Sequence, residues 1–218
     1  MQIDIPRNED VAQLIADSKN IGIIPSFNTG FDAFCAAVSL YHMLKDAGKN
    51  ASFIYPQQLA DSVKDLITQE NVISNLLQRD LVVTVDYNGT GADKVKYNTE
   101  NSVLTFRIGP IASDFNTDER VKAKIASYDF DLCFVVGADY LEDLGDTYTN
   151  LKTEIHASKI VNIDNSKKNS RFGIINIIDP EAESLSLIIF QKAAEWKLTP
   201  GKNAAKAMLK GMTAAMQS

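Results

Sequence analysis

The stretch IVNIDNSKKNSRFGIINIIDP, residues 160–180, decides the fold of this chain. An apolar run ends at the acid Asp164, a polar loop follows over 165–169, and a second apolar run covers 172–178. Continuous apolar runs are typical of strands that are covered on both faces of a parallel sheet. Ligand sites in such sheets form at the carboxyl ends of the strands, so the segment places one acid and several small polar groups at a predicted site.

Outward from this stretch, apolar runs alternate with helical patterns. The predicted strands are 21–25, 51–55, 81–87, 131–137 and 159–164. The predicted helices are 32–47, 60–77, 118–127, 140–151 and 180–196. This βαβ alternation predicts an α/β fold with a doubly wound, mainly parallel sheet flanked by helices.

One segment departs from the alternation. Two short, partly alternating runs at 94–98 and 103–108 flank a turn-like stretch and predict an inserted β-hairpin at about 94–108. In the tail, at 203–216, apolar residues recur with the spacing of an amphipathic helix. Because 218 residues can bury one sizeable core and no linker interrupts them, we expect a single domain over 1–218 without a second, substrate-binding domain.

Composition limits the partners that we expect. The formal net charge of -6 argues against duplex nucleic acid, because neutralising phosphates requires clustered Lys and Arg. No apolar run approaches the roughly 18 residues of a membrane span, and the first residues do not resemble a signal peptide. We therefore expect no membrane association and a cytoplasmic location. Cys35 and Cys133 lie within apolar patterns, which favours buried thiols over a disulfide or a nucleophile.

Common catalytic signatures are missing from the sequence. His42 and His156 have no partner at metal-ligand spacing, so neither a zinc site nor a Ser-His-Asp triad is predicted. The glycine-rich segment 89–94 lacks the spacing of a phosphate-binding loop and predicts a turn.

Two acids lie at predicted junctions of strand and helix. Asp32 opens a helix after strand 21–25, where it either favours the helix macrodipole or faces a site at the strand's carboxyl end. Asp164 either forms a turn or projects into the crevice where the strand order reverses. The local sequence leaves both alternatives open for each acid.

Three segments resemble motifs of the DHH phosphoesterases, over about residues 8–215. IGIIPSFNTGFDAFCAAVSLYHMLKDAGK (21–49) resembles the first motif, a strand, an H-x-x-x-D-x-D loop and a helix ending in Gly-Lys. DLCFVVGADYLEDLG (131–145) resembles the motif in which a strand ends in a ligand Asp. VNIDNSKKNSRFGIINIIDPEAESLS (161–186) resembles the Asp-His-His motif and keeps its Phe-Gly, Asn and Asp-Pro residues. The resemblance implies a family in which two divalent ions, usually Mn²⁺, hydrolyse phosphate esters.

Most metal-ligand positions of that family are lost here. Those positions hold Ser26, Gly30, Gly137, Asn165, Ser166 and, in a weaker alignment, Ala215. Only Asp32 and Asp164 match, and side chains such as Ser and Asn bind divalent transition metals poorly. Asp86 is a further weak metal candidate, although Gly137 lies nearer the spacing that the family has before Asp164.

The resemblance and its departures together imply a DHH phosphoesterase-like protein without two-metal hydrolysis. It would keep the crevice for binding a nucleotide or phosphate, or for an interaction, with Lys167, Lys168 or Arg171 at the rim. The expected ligand-binding residues are Ser26, Asn28, Asp32, Asp164, Asn165, Ser166 and Asn169. No catalytic residue and no cofactor is predicted.

Two alternatives remain open. One is an active phosphoesterase on nucleotides or short oligonucleotides, with altered use of Mn²⁺ or Mg²⁺ or a completing partner. The other is a structural subunit, and assembly with identical or different chains stays open in each case.

Overall fold

The structure is a computed structural model that describes residues 10–27, 30–77, 79–126 and 128–217. The chain divides into two compact units. The first combines the residues up to Leu77 with those from Tyr128 onward, and the second lies between them in sequence.

The strands and helices of both units are numbered together in chain order. In chain order the strands are β1 (Asn20–Pro25), β2 (Asn50–Ile54), β3 (Val72–Ile73), β4 (Leu81–Val85), β5 (Lys94–Glu100), β6 (Val103–Gly109), β7 (Val121–Ile125), β8 (Leu132–Val136), β9 (Lys159–Asp164) and β10 (Ile175–Ile178). The α-helices are α1 (Val11–Asp17), α2 (Gly30–Asp46), α3 (Thr117–Arg120), α4 (Asp146–Ala157), α5 (Leu185–Ala193) and α6 (Lys202–Ala215).

The first unit is built on a six-stranded parallel sheet with the order β10-β9-β8-β1-β2-β3. The chain proceeds from β1 outward to β3, then returns to β8 beside β1 and proceeds outward to β10. The predicted doubly wound α/β fold is therefore confirmed. The strand order reverses between β1 and β8, which is where such sheets place a ligand crevice.

Apolar side chains cover both faces of this sheet. On one face, Phe134 of β8 packs in one cluster with residues of α1, α2, α5 and α6. On the other face, Cys133 and Val135 pack with Leu151 and Ile155 of α4. Neighbouring residues of β8 point to opposite faces of the sheet, and apolar side chains cover both faces. The strand is therefore apolar at every position.

Both cysteines are buried free thiols, as predicted. Burial and the neighbouring Asp32 carboxylate raise the pKa of Cys35 to about 12. Burial also raises the pKa of Cys133 to about 12. Neither thiol ionises near neutral pH, so neither has the character of a nucleophile.

The second unit contains two antiparallel ribbons. β5 and β6 form a hairpin in which Lys94 pairs with Gly109 and Glu100 pairs with Val103, confirming the predicted hairpin. β4 and β7 form the other ribbon. The strand predicted at 81–87 therefore exists, but the prediction that it is a covered strand of the parallel sheet is wrong, since β4 is mostly exposed.

Two predicted helices are wrong. Over 60–77 the chain forms 3₁₀ turns at Asp61–Val63 and Gln69–Asn71 and then β3. Asn71 Nδ2 donates to Thr68 Oγ1 at 2.8 Å, a local bond of the kind that competes with helix formation. Over 118–127, only the short α3 is helical before β7, whose sequence VKAKI alternates apolar and charged residues with the period of a strand.

Two other helices have shifted limits. The helix predicted at 140–151 is a 3₁₀ turn, Leu141–Leu144, followed by α4, with Gly145 between them at φ +52°. The helix predicted at 180–196 begins only at α5, because Ser184 Oγ accepts from Leu187 N and caps that helix. Among the described residues, no helix has the length and apolar character required to cross a bilayer.

Candidate binding site at the carboxyl edge of the sheet

The carboxyl ends of the central strands are held together one residue beyond the sheet. Ser26 N donates to Val136 O at 2.8 Å, and Gly137 N donates to Ile163 O at 2.8 Å. Ser26 is buried at the end of β1. The first bond crosses the reversal between β1 and β8, and the second joins β8 to β9, so the parallel pairing of the three strands continues one residue past their ends.

Asp164 ends β9 and is completely buried. Its Oδ1 accepts from Asn165 N at 2.8 Å, and its Oδ2 accepts from Asn169 Nδ2 at 2.7 Å. Burial raises the pKa of the carboxyl, the bonds from Asn169 and Asn165 lower it, and the nearby Asp139 carboxylate raises it, with a net increase. Each oxygen of this acid therefore accepts at least one hydrogen bond within the protein.

Three asparagines form a network next to Asp164. The buried Asn162 donates through Nδ2 to Asn169 Oδ1 at 2.7 Å and to Asn176 Oδ1 at 3.2 Å. Asn169 Nδ2 also donates to Ala138 O at 2.7 Å, which ties the loop after β9 to the end of β8. The side-chain amide of Asn169, a predicted ligand-binding residue, is largely satisfied by protein groups.

Asn162 and Asn176 are members of the network that sequence reasoning missed. Each interrupts an apolar run, in VNI of β9 and INI of β10, and that interruption is the available signal. Asn176 accepts from Gly173 N at 3.0 Å and donates to Gly173 O at 2.7 Å. A Cβ at Gly173 would lie 2.6 Å from Ile175 O, so the Phe-Gly step of the motif serves close backbone packing.

The predicted ligand-binding residues Asn165 and Ser166 are half-buried and also make bonds within the protein. Asn165 Nδ2 donates to Ala182 O at 3.2 Å. Ser166 Oγ accepts from Lys168 N at 3.2 Å. Asn28, predicted for the same set, lies outside the described residues.

Asp32 belongs to α2, and its side chain caps the start of another helix, α5. Its side chain is in the first turn of α2, and it accepts from Leu185 N, from Ser186 N at 3.2 Å and from Ser186 Oγ at 2.6 Å. These donors are the first residues of α5, where a carboxylate satisfies free amides and favours the macrodipole. The described hydrogen bonds of Asp32 and Asp164 have no residue in common, so none of them joins the two acids.

Asp86 lies in the second unit, whereas Asp32 and Asp164 lie in the first. Asp86 Oδ1 accepts from Asn88 N at 3.0 Å, a local bond of the turn after β4.

Asp139 is an acid of the site that sequence reasoning missed. Its Oδ1 is buried and makes no hydrogen bond within the described chain. Its backbone oxygen accepts from Ser170 N at 2.9 Å and from Ser170 Oγ at 2.7 Å, which places it against the loop after β9. Its position two residues after Gly137, where the resemblance expects an acid, was the available signal.

A cleft of about 300 Å³ lies at the same edge of the sheet. It is lined by Phe27, Pro56, Gln57, Glu142, Asp143, Gly145 and Asp146. The lining contains three carboxylates and no basic side chain, so it repels a bare phosphate. The exposed cations Lys168 and Arg171 lie instead on the loop after β9.

The donor set does not fit a pair of divalent ions. The described residues contain no group of three or more His, Cys, Asp or Glu side chains that could hold a metal ion. His42 Nε2 bonds to Leu66 O at 2.7 Å, and His156 Nε2 bonds to the Tyr148 hydroxyl at 3.0 Å, so both described histidines serve local contacts. Asp32 and Asp164, the two acids that match the motifs, both accept hydrogen bonds from protein groups.

Comparison with known proteins identifies a shared fold. No family model and no curated protein matches the sequence. Among solved structures, an exopolyphosphatase-related protein from Bacteroides fragilis superposes with a TM-score of 0.61 at 14% sequence identity. The match covers 94% of this chain and 48% of that protein, so this chain spans about half of its length. The chain therefore shares its α/β fold with this exopolyphosphatase-related protein.

Proposed function

We propose that this chain is a DHH phosphoesterase-like protein that does not perform two-metal hydrolysis and binds a nucleotide at the carboxyl edge of its sheet. The observation that carries the proposal is that, among the described residues, Asp164 belongs to no group of acids and imidazoles that would complete a two-metal site. Its oxygens accept hydrogen bonds from Asn165 N and Asn169 Nδ2, and the described residues contain no group of three His, Cys, Asp or Glu side chains that could hold an ion. The fold shared with an exopolyphosphatase-related protein supports a phosphate-bearing ligand.

The neighbouring residues support the loss of metal chemistry. Asn165 and Ser166 stand where the family has imidazoles, and neutral amide and hydroxyl oxygens are poor ligands for Mn²⁺. Asp32 is engaged in capping α5, so moving it to a metal would leave two buried amides and a hydroxyl without partners.

The distribution of charge suggests how a nucleotide would lie. The phosphate would be bound by Lys168 and Arg171, which are exposed on the loop after β9. Lys167 would add a third cation, because its 3.6 Å pair with Glu181 is exposed and weak. The carboxylates of the cleft would accept hydrogen bonds from the base or the ribose hydroxyls.

Thermal unfolding with and without nucleotide tests this proposal. We expect AMP, ADP or 3′-phosphoadenosine 5′-phosphate to raise the Tm in a buffer without divalent metal, because a ligand at about 100 times its Kd adds about 2.7 kcal/mol of stability. Lys168→Ala and Arg171→Gln should weaken the effect. Lys202→Ala, which removes an exposed lysine at the start of α6, is the matched control and should not. A Tm unchanged by every nucleotide would contradict the proposal.

A second candidate is a phosphoesterase with altered metal use. One observation favours this candidate. The buried Oδ1 of Asp139 has no described hydrogen-bond partner, and the Asp139 carboxylate lies near the carboxylate of Asp164. A single divalent cation between two such acids would relieve their repulsion. If this candidate is correct, Mg²⁺ or Mn²⁺ should stabilise the chain and Asp139→Asn should remove that stabilisation.

A further inference from the structure

The β5–β6 hairpin of the second unit is amphipathic, and its apolar face is exposed. Side chains alternate along each strand, so the cross-strand register fixes which residues share a face. The apolar face consists of Val95, Tyr97, Thr99, Leu104, Phe106 and Ile108. The central pair is Tyr97 and Phe106, which expose 75% and 54% of their surface.

All charges of the hairpin strands lie on the opposite face. That face consists of Lys94, Lys96, Asn98, Glu100, Val103, Thr105 and Arg107. The same separation occurs in the β4–β7 ribbon, where Val83 pairs with Ala123 on one face and Val82 pairs with Lys124 on the other. Such strict alternation is typical of strands that bury one face, yet four apolar-face residues of the hairpin are more than half exposed.

An isolated two-stranded ribbon is marginally stable in water and needs a further layer on its apolar face. The exposed parts of Tyr97 and Phe106 amount to roughly 100 to 200 Å² each. With Val95 and Leu104, the patch reaches on the order of 500 Å², a size that marks an interaction surface on a soluble protein.

We propose that this face packs against the same face of a second copy of the chain, across a two-fold axis at the Tyr97–Phe106 pair. Two facing patches would bury on the order of 1,000 Å², which reaches the lower range of specific interfaces. The face carries no charge, so two copies meet without burying an ion, while their lysines remain on the outer faces. The axis places four aromatic rings at the centre, where binding energy concentrates.

Sedimentation velocity of the full chain, from low micromolar concentrations upward, tests the proposal. We expect a concentration-dependent dimer that Tyr97→Asp converts to a monomer. Asn98→Asp is the matched control, because it adds the same charge to the next residue of the same strand on the opposite face, and it should remain dimeric. A wild-type chain that is monomeric at every concentration would overturn the proposal, as would a dimer that both variants weaken equally.

Cross-linking provides a second measurement that does not depend on how Tyr97→Asp folds. A short bismaleimide should join two Tyr97→Cys chains and leave Asn98→Cys chains separate, since Cys35 and Cys133 are buried. Equal cross-linking of the two variants would overturn the face-to-face arrangement, as would no cross-linking at a concentration where Tyr97→Cys chains sediment as dimers.

Discussion

Asp32 and Ser186 are 154 residues apart in sequence and are joined by a 2.6 Å hydrogen bond from Ser186 Oγ to Asp32 Oδ1. The same carboxylate accepts from the backbone amides of Leu185 and Ser186. The acid that best matches the first family motif therefore fastens α2 to the start of α5. A residue that resembles a metal ligand has a structural role here.

Asp32→Asn should lower the free energy of unfolding by about 1–3 kcal/mol, because it removes charge-assisted bonds and places an amide donor against the donors of α5. Urea denaturation monitored by circular dichroism measures the change. Asp46→Asn, an exposed acid at the other end of α2, is the control and should change stability by less than about 0.5 kcal/mol. Equal effects of the two substitutions would contradict the capping role.

Gly211→Ala should destabilise the chain by about 1–3 kcal/mol, the reverse of the usual gain when alanine replaces glycine inside a helix. An added Cβ would lie 2.9 Å from Cys35 Cβ and 2.7 Å from Asp32 Oδ1, and it would overlap Ser186 Oγ. Thermal unfolding compared with Gly201→Ala tests this prediction. At Gly201 the added carbon meets only the mobile end of the exposed Asp46, so stability within about 0.5 kcal/mol of wild type is expected there.

Asn169→Ala should cost about 2–4 kcal/mol, because Asp164 Oδ2, Ala138 O and Asn162 Nδ2 each lose a partner in a buried setting. Asn165→Ala, which removes one longer side-chain bond, should cost about 1 kcal/mol. Chemical denaturation of both variants gives the comparison. Similar costs would show that the asparagine network does not hold the loop.

The free energy of unfolding should change with pH because Asp164 ionises. Its pKa in the folded chain is raised, mainly by burial, above the unfolded value. Ionised Asp164 therefore opposes folding above its folded pKa, and the penalty fades as the pH falls toward the unfolded pKa near 4. Relative to Asp164→Asn, wild type should gain stability between neutral pH and about pH 4. A ¹³C titration of the carboxyl group gives the pKa directly, and a value below about 3.9 would contradict this account.

The central sheet could be predicted because it follows from local patterns. Strands β1, β8 and β9 are mostly apolar runs, and such runs have few alternatives once helices separate them. The β5–β6 hairpin could be predicted because polar and apolar residues alternate on both sides of a turn-like stretch. The helix predicted at 118–127 is wrong beyond Arg120, where the alternation in VKAKI favours the strand β7.

The site was less predictable because its bonds join distant segments. The sequence marks Asp164 as an acid at a strand end, but it does not show that Asn165 and Asn169 occupy both its oxygens. The role of Asp32 depends on α5, which begins more than 150 residues later. The resemblance aligns Gly137 with the family's acid, so the pattern does not point to Asp139 two residues later, whose buried Oδ1 is evident only in the fold.

The measurement that tests the central claim most directly is calorimetric titration of Mn²⁺ into the metal-free chain, combined with an assay of hydrolysis. The substrates are 3′-phosphoadenosine 5′-phosphate and short oligoribonucleotides. Because the acids are engaged in structural bonds, we predict no binding of Mn²⁺ with micromolar affinity and no turnover above buffer. Micromolar affinity, together with turnover that Asp164→Ala abolishes, would contradict the proposal that this chain does not perform two-metal hydrolysis.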